Sequence, residues 1–464
     1  MEIFIIIVFI LGYIAITLEH SIKLDKLIPA LIMMAACWAL IAFGIEGFDQ
    51  WFDSGAHSLV SDFDTLPTYS EHAAYEISSK SQWMEETLLH HLGKTAEILF
   101  FLLGAMTIVE IIDHFDGFST FKRYIKTKNK RRLLWIFTIL AFILSAIIDN
   151  LTATIVLITI LRKIISDQNT RMWFAGLIII AANAGGAWSP IGDVTTTMLW
   201  IGDKVSTDAL ITNLLLPSII CMALPTMIAS FMKPFKGNLI EDVEVSAESN
   251  HDTTYSSIIL YLGLGMILFV PFFKTITHLP PYVGMMLSLG IVAIFAEIFS
   301  SRQFKLTTLD DHSKDAGHHN PVHKSLSKIE MPSVLFFFGI LMAVAAMESL
   351  GLLFNFADTM NTAIPNTDIV VLLLGVGSAV IDNVPLVAAS LGMFQQEMND
   401  PIWHFIAYSA GTGGSMLIIG SAAGVVAMGM EKISFFWYLK NISLLAFIGF
   451  IAGAGVFMFM ESMA

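Results

Sequence analysis

Long apolar segments separated by short polar loops run through the whole chain of 464 residues. Within a segment the apolar run is continuous, without the alternation of apolar and polar positions that marks strands, and it is long enough for a helix to cross a bilayer. This pattern predicts an all-α polytopic membrane protein and excludes a β-barrel. The predicted spans lie near residues 3–18, 27–44, 95–113, 172–200, 209–232, 256–273, 281–299, 331–350, 402–429 and 435–460.

Two further apolar segments, 133–165 and 368–396, are interrupted at their centres by an Asp-Asn pair. The pair closes a hexapeptide that occurs twice, as Ser-Ala-Ile-Ile-Asp-Asn ending at Asn150 and as Ser-Ala-Val-Ile-Asp-Asn ending at Asn383. Each segment is too long for one simple span and too short for two. We therefore predict two re-entrant helical hairpins with the Asp-Asn pairs at their tips, since irregular backbone at membrane depth must line a cavity or be buried in protein.

Two of the predicted spans carry a second duplicated motif. It reads Gly-Gly-Ala-Trp-Ser-Pro-Ile-Gly-Asp over residues 185–193 and Gly-Gly-Ser-Met-Leu-Ile-Ile-Gly-Ser over residues 413–421. Because paired glycines and Ser-Pro do not sustain a helix, the sequence predicts that 172–200 and 402–429 are each broken into two half-helices.

The duplicated motifs keep nearly the same spacing along the chain. The hexapeptides are offset by 233 residues and the glycine motifs by 228. A loop rich in Lys and Arg at 122–132 is predicted to be cytoplasmic, and counting from it the first hairpin enters from the cytoplasm and the second from outside. We therefore predict an inverted repeat of residues 1–235 and 256–464, joined by a cytoplasmic linker at 236–255.

Composition supports the membrane assignment and excludes some partners. The chain is 55% hydrophobic and only 14% charged, whereas soluble proteins carry about a quarter charged residues. Its formal net charge is −14, with acidic residues concentrated in the loop at 46–91. Such a surface repels nucleic acid, and the sequence contains no nucleotide-binding loop. We expect the lipid bilayer as the surroundings, with no nucleic acid, nucleotide or cofactor as a partner.

Three aspartates inside the apolar segments carry the predicted chemistry. Asp149 and Asp382 lie at the hairpin tips, and Asp193 lies in the first broken helix, where the second copy has a serine. The neighbouring Asn150 and Asn383 are explained as N-caps, but a neutral cap does not account for costly buried carboxylates. The unequal repeat predicts a principal exchange site at Asp149 and Asp193, with Asp382 as a supporting or second site.

The sign of the substrate follows from basic residues that are missing. No Lys or Arg occurs in 133–161, 172–203 or 329–431, so we expect a cavity with three carboxylates, no fixed cation and a cationic substrate. Because burial raises the pKa of a carboxyl group, Na⁺ and H⁺ compete for it, and one site opened alternately to each side exchanges the two ions. Glu97 and Glu110 are candidate proton relays, Glu97 being favoured.

The motifs around these residues resemble one family. Stretches such as IIDNLTATIVL, AANAGGAWSPIGDVTTTMLWIG, VIDNVPLVAAS and GTGGSMLIIGSAAGVVAMGMEKISFFWYL are similar to the NhaD Na⁺/H⁺ antiporters of the ion transporter superfamily, and the resemblance covers essentially the whole chain. It implies a secondary active transporter that exports Na⁺ and Li⁺ in exchange for protons, for Na⁺ and pH homeostasis, usually in the bacterial inner membrane. It also implies an elevator-type fold and commonly a homodimer.

The same match assigns residues to the ion sites. One cation site would be built by Asp149, Asn150, Asn183, Asp193, Thr195 and Thr196. Its counterpart would be built or supported by Ser378, Asp382, Asn383, Ser415 and Ser421. Ser145 and Ser189 would support these sites. Na⁺ itself is expected at Asp149, Asn150, Asp193, Asp382 and Asn383.

The nearest alternative is a Na⁺-coupled anion (dicarboxylate) symporter of the same fold. Family members that carry dicarboxylates have a Ser-Asn-Thr tip where this chain has Asp-Asn, and three carboxylates oppose an anionic substrate. Arsenite efflux would require thiols near the motifs, and neither Cys37 nor Cys221 is near them. An intramembrane aspartyl protease would carry Gly-x-Gly-Asp, which is absent, so we expect no enzyme. A channel stays open on the residues alone and would differ by carrying uncoupled current.

Overall fold

A computed structural model describes the chain except for residues 19–21, 49, 54–57, 61–78, 123–124, 126, 240–252, 308–320, 330, 365, 381 and 464. Most of the predicted linker at 236–255 and half of the acidic loop at 46–91 therefore lie outside the described residues. The helices are α1 (Glu2–Thr17), α2 (Leu27–Gly44), α3 (Ser79–His114), α4 (Ser119–Lys122), α5 (Lys130–Ile148), α6 (Asn150–Ile164), α7 (Gln168–Gly186), α8 (Val194–Ile201), α9 (Thr207–Ser230), α10 (Thr253–Thr277), α11 (Pro281–Thr307), α12 (Pro321–Leu326), α13 (Met331–Ser349), α14 (Leu352–Ala363), α15 (Thr367–Gly377), α16 (Asn383–Met393), α17 (Pro401–Gly413), α18 (Ala422–Glu431), α19 (Phe435–Asn441) and α20 (Ser443–Glu461).

Eight helices of the described residues are long and apolar enough to cross a membrane. They are α2, α3, α5, α9, α10, α11, α13 and α20. The prediction of a polytopic, essentially helical membrane protein is thereby confirmed. Strand structure in the described residues is limited to an antiparallel pair, β1 (Trp51–Asp53) with β2 (Ser58–Val60).

The predicted boundary of one span was wrong. Helix α3 begins at Ser79, sixteen residues before the predicted span at 95–113. Its additional turns are polar, but they contain Met, Glu and Leu, which favour helix whatever the hydropathy. They also have a packing partner, because Trp51 Nε1 of β1 donates a hydrogen bond to Thr87 Oγ1 at 3.0 Å. The helix therefore includes residues 79–91, which were predicted to belong to the acidic loop.

Four apolar segments are interrupted at the duplicated motifs. Helices α5 and α6 meet at Asp149 and pack against each other, and α15 is separated from α16 by residues 378–382. Helix α7 ends at the paired glycines and α8 begins at Val194, after the Ser-Pro turn. Helix α17 likewise ends at Gly413, and α18 begins at Ala422. These interruptions bring four helix N-termini, those of α6, α8, α16 and α18, into the interior of the protein.

Each helix that precedes an Asp-Asn pair is hydrogen-bonded to a broken helix through a serine of the hexapeptide. Ser145 Oγ donates a hydrogen bond to the carbonyl oxygen of Ala182 at 2.6 Å. Ser378 Oγ donates to the carbonyl oxygen of Ala410 at 2.8 Å. Both serines are fully buried, so each hydroxyl finds its hydrogen-bond partner in a backbone carbonyl of the neighbouring helix. Ser145 and Ser378 therefore support the breaks.

The same contacts require glycine at two related positions. A Cβ atom on Gly185 would overlap the carbonyl oxygen of Phe142 in α5, and one on Gly413 would overlap the carbonyl oxygen of Gly375 in α15. Because both obstacles are backbone atoms, a side-chain rearrangement cannot relieve the overlap. The glycines thus set how closely α7 approaches α5 and α17 approaches α15.

Replacing Gly185 or Gly413 with Ala is expected to destabilise the protein by about 1–3 kcal/mol, the usual cost of overpacking. The measurement is thermal unfolding of the purified protein in detergent, with Gly429→Ala in α18 as the control, because a Cβ there meets nothing within 4 Å. Equal unfolding temperatures for all three variants would show that the helices separate without cost.

A buried carboxylate joins the two halves of the chain at the far ends of α6 and α18. Glu431, the last residue of α18, has a fully buried side chain. Its Oε1 accepts a hydrogen bond from Arg162 Nε at 2.7 Å, and its Oε2 accepts one from Arg171 Nε at 2.8 Å. Gln168 Nε2 donates to the Glu431 carbonyl oxygen at 3.0 Å. These bonds hold the end of α18 against the end of α6 and the start of α7.

Candidate cation site

A small cavity of about 80 Å³ lies where the interrupted helices meet. Asp149, Asp193 and Asp382 line it, so the structure brings together three carboxylates that are widely separated in the sequence. Each immediately precedes a helix, α6, α8 or α16. Apolar side chains such as Phe101 and Phe337 form much of the remaining wall. Charges in such surroundings are poorly solvated, and their partners therefore determine what the cavity binds.

Each of the three aspartates is the N-cap of the helix that follows it. Both oxygens of Asp149 accept hydrogen bonds from Thr152, Oδ1 from the backbone N–H and Oδ2 from the hydroxyl, each at 2.8 Å. Asp193 and Asp382 each accept, through Oδ1, the N–H two residues further on at 3.4 Å. The partial positive charge of a helix N-terminus stabilises each carboxylate in its ionised form.

The prediction that Asn150 and Asn383 are the N-caps was therefore wrong. Asp and Asn cap helices about equally well, and the cap is the aspartate, one residue earlier. Asp149 reaches this position with a backbone φ of +79°, which is uncommon for a residue other than glycine and costs free energy. As the first residues of α6 and α16, the asparagines are free to direct their amide groups into the cavity.

Both asparagines donate to the same oxygen of Asp193. Asn383 Nδ2 lies 3.0 Å from Asp193 Oδ2, and Asn150 Nδ2 lies 3.4 Å from it. Asn150 Nδ2 also donates to Asn183 Oδ1 at 2.9 Å, and Asn183 Nδ2 donates to Ser421 Oγ at 3.1 Å. This amide network, Asn150, Asn183, Asp193, Asn383 and Ser421, crosses twice between the first and second halves of the chain. The two predicted clusters thus meet in one network.

The other predicted hydroxyl residues shape the breaks without lining the cavity. Thr196 Oγ1 donates to the Asp193 carbonyl oxygen at 2.9 Å. Ser189 Oγ donates to the Ala146 carbonyl oxygen at 2.6 Å, and Ser415 Oγ donates to the carbonyl three residues before it at 2.6 Å. Thr195 is fully buried beside Asp193 and contributes the backbone N–H of the cap. These residues hold the backbone at the position from which Asp193 reaches the amide network.

The expectation of a cavity without a fixed cation was wrong. Lys26, which precedes α2, also lines the cavity, and its Nζ lies 2.7 Å from Asp382 Oδ2. The prediction rested on the absence of Lys and Arg from the segments around the motifs. Lys26 lies outside those segments, 356 residues before Asp382 in the sequence. Its side chain reaches inward because a long lysine chain can extend its ammonium several ångströms from the backbone. Thr152, the partner of Asp149, was also missed, although a hydroxyl three residues after a cap is a usual partner.

The structure places the two candidate proton relays at different cavities. Glu97 lines a different cavity, with Lys274 and Asp203, at the C-terminal end of α8. Glu110 lines a cavity of about 350 Å³ that also includes Thr152, the residue bonded to Asp149. Between these two glutamates, therefore, Glu110 has the more direct route to the site.

No three His, Cys, Asp or Glu side chains among the described residues converge closely enough to hold a metal ion together. The three carboxylates thus line one cavity without sharing one position. With Lys26 counted, the four ionised groups would carry a formal charge of −2 (three carboxylates, one ammonium).

A model of the CitMHS family, described as citrate transporter, matches residues 13–404, a range that contains all three aspartates and Lys26. The chain belongs to the CitMHS family. This membership confirms the predictions of a secondary transporter, in place of an enzyme, and of a multi-pass membrane protein.

Several relatives of this CitMHS member are named as antiporters. "Sodium/proton antiporter 1" of Arabidopsis thaliana is 42% identical over 80% of this chain, but the match spans only 63% of that longer protein. "Sodium/proton antiporter 2" of the same plant is 36% identical over 96% of both chains. "Na(+)/H(+) antiporter NhaD" of Alkalimonas amylolytica is 30% identical over 98% of this chain and 90% of its own length. The resemblance to NhaD antiporters is thereby confirmed.

Proposed function

We propose that this protein is a secondary active antiporter that exports Na⁺, and Li⁺, in exchange for protons. The observation that carries the proposal is the Asp193 carboxylate, which is 3% exposed and whose Oδ2 meets neutral amide donors from both halves of the chain. The names of the relatives, sodium/proton antiporters, support the same activity. Na⁺ and H⁺ are the proposed substrates.

Exchange follows from competition for a buried carboxylate. An amide donor stabilises a carboxylate but does not neutralise it, and a buried charge without a counter-charge is costly. Asp193 is therefore most stable with either a small cation or a proton bound. If the cavity opens alternately to the two sides of the membrane, one ion must leave before the other binds. Import of protons then drives export of Na⁺ without a nucleotide or a further cofactor.

The alternative, a Na⁺-coupled dicarboxylate symporter, is favoured by the CitMHS description as citrate transporter. Two features of the cavity oppose it. Anions bind at open helix N-termini, but the N-termini of α6, α8 and α16 are closed by the three aspartates and that of α18 by Ser421, whose Oγ accepts from the Gly424 N–H at 3.2 Å. The cavity volume of about 80 Å³ is also well below the roughly 300 Å³ at which small-molecule pockets begin.

The finer architecture is part of the proposal. The two hexapeptides, the two glycine motifs and their parallel serine and glycine contacts support an inverted repeat of 1–235 and 256–464 with two re-entrant hairpins and an elevator-type movement. Asp149, Asp193, Asp382 and the two cavity asparagines are the proposed ion ligands. The bacterial inner membrane and a homodimer stay predictions from the family resemblance.

The proposal is tested in everted membrane vesicles from a bacterial host that lacks its own antiporters. Adding Na⁺ or Li⁺ to vesicles that hold a pH gradient is expected to dissipate the gradient, because bound protons are released as the cation is taken up. Labelled citrate or succinate is not expected to accumulate when Na⁺ is added. A pH gradient that neither cation changes at any pH contradicts antiport, and Na⁺-dependent uptake of the dicarboxylate would support the symporter instead.

A further inference from the structure

The proposed antiport does not account for one charged group in the cavity, the ammonium of Lys26. Its Nζ lies 2.7 Å from Asp382 Oδ2. The two side chains are 25% and 12% exposed, so the pair is partly buried but not sealed from water. The other two cavity carboxylates accept hydrogen bonds from neutral groups, Asp149 from Thr152 and Asp193 from amides. Asp382 has a cationic partner from the protein itself, the ammonium of Lys26.

We propose that Lys26 is a tethered competitor of the transported cation at Asp382, so that Na⁺ binds there only by displacing the Lys26 ammonium. The inference rests on the proposed antiport activity. A lysine ammonium and Na⁺ carry the same charge, and Asp382 Oδ2 cannot hold both at contact distance because their mutual repulsion is strong in such surroundings. Occupation of Asp382 by one therefore excludes the other.

The ammonium has favourable positions to occupy after displacement. Lys26 Nζ already lies 4.4 Å from the centre of the Phe336 ring, a distance at which the ring face attracts a cation. A second small cavity of about 40 Å³ adjoins the pair on its other side and includes Thr17 and Ser421. The flexible four-carbon chain of lysine allows movement toward either position. Displacement therefore does not strand an unpaired charge in apolar surroundings.

The pair also explains how Asp382 is tolerated when no ion is bound. Without a counter-charge, a carboxylate in these partly buried surroundings would be costly. Lys26 supplies the counter-charge, so the second carboxylate of the cavity is compensated in the ion-free protein. The consequence is a lower affinity for Na⁺ than a free carboxylate would have, which suits a carrier that must release the ion again.

The pair further joins two parts of the fold. Helix α2, which Lys26 precedes, packs against α1 and α13, whereas α16, which Asp382 precedes, packs against α8, α13, α14 and α17. Displacement of Lys26 by Na⁺ breaks a direct ionic contact between α2 and the start of α16. Binding of the substrate thereby loosens the contact between these two elements.

The test is a Na⁺ titration of the purified protein in detergent, in which binding is measured as the rise in unfolding temperature. For Lys26→Gln, the Na⁺ concentration that gives the half-maximal rise is expected to fall about tenfold, which corresponds to about 1.4 kcal/mol. Lys26→Arg keeps the charge and is expected to retain the wild-type value or exceed it. Lys23→Gln is the matched control, because Lys23 is an exposed lysine of the same loop that does not line the cavity.

A second comparison separates competition from a general effect on the fold. In an Asp382→Asn background the Lys26 ammonium has lost the carboxylate at which it competes, so adding Lys26→Gln is expected to shift the Na⁺ midpoint by much less than tenfold. An unchanged or higher midpoint for Lys26→Gln alone would overturn the inference. The titration requires no proton exchange, so loss of antiport in vesicles with the tenfold shift intact would count against the proposed function and for the role of Lys26.

Discussion

Replacing Asp193 with Asn is expected to reduce Na⁺-dependent and Li⁺-dependent dissipation of the pH gradient to the level of vesicles that lack the protein. The substitution removes the charge for which Na⁺ and H⁺ compete while keeping the size of the side chain. It also disturbs the amide network, because Asn offers one oxygen in place of two. If that oxygen caps α8 at the Thr195 N–H, the new amide group faces Asn383 Nδ2, and donor meets donor. A destabilisation of about 1–3 kcal/mol is expected from the unsatisfied donor.

The control must carry the same substitution at a cap outside the cavity. Asp400 caps α17, where its Oδ1 accepts a hydrogen bond from the Ile402 N–H at 3.0 Å, and it does not line the cavity. Asp400→Asn is expected to retain the vesicle response. Exchange by Asp193→Asn near the wild-type rate, with equal amounts of protein in the membrane, would show that this carboxylate does not couple the two ions.

Replacing Glu431 with Ala is expected to cause the largest loss of stability, about 3–5 kcal/mol, which is typical when one partner of a buried ion pair is removed. The side chain is fully buried and accepts hydrogen bonds from both Arg162 and Arg171. Its loss leaves Arg171, which is only 16% exposed, without its carboxylate. Arg162 is 44% exposed and is partly compensated by water, so the greater share of the effect comes from Arg171.

The stability of the Glu431 variants is measured by thermal unfolding of the purified protein, in which the fraction that stays monodisperse is determined after heating. Glu431→Gln is expected to show an intermediate loss, because it keeps an oxygen that accepts from one arginine. Glu461→Gln, at the exposed end of α20, is the control and is expected to unfold like the wild type. Overlapping curves for Glu431→Ala and wild type would mean that the buried pair contributes nothing beyond an apolar contact.

The apolar pattern predicts the spans well because hydropathy reports depth in the membrane directly. Helices such as α2, α9 and α13 begin and end within a few residues of the predicted limits. The start of α3 was not predicted for the same reason. Its turns at 79–94 are polar, and hydropathy identifies only the apolar part of a helix. Those turns are held by contacts such as that of Trp51 with Thr87, which hydropathy does not measure.

The duplicated motifs predict which carboxylates belong to the site but not what each one does. An Asp-Asn pair at a helix start leaves the cap undecided, because helix boundaries are uncertain by about one residue and both residues cap well. A shift of the helix boundary by one residue is enough to make Asp149, instead of Asn150, the N-cap of α6. The aspartates and asparagines of both motifs nevertheless line one cavity.

Lys26 and the bond between Asp193 and Asn383 were beyond the reach of the sequence pattern. Lys26 and its partner Asp382 are 356 residues apart in the sequence, and Asp193 and Asn383 are 190 residues apart. Lateral packing of helices decides such contacts, and periodicity within a segment carries no information about it. The absence of Lys and Arg near the motifs therefore predicted a cavity without a fixed cation, whereas in the folded protein Lys26 lines that cavity.

The amide network has a consequence for how the protein is made. During synthesis, the first half of the chain enters the membrane before Asn383, Asp382 and Ser421 have left the ribosome. At that stage Asp193 lacks its nearer amide donor and Lys26 lacks its carboxylate. The exchange cavity is therefore completed only when the last third of the chain has been inserted. A truncated or half-inserted chain therefore does not possess the complete cavity.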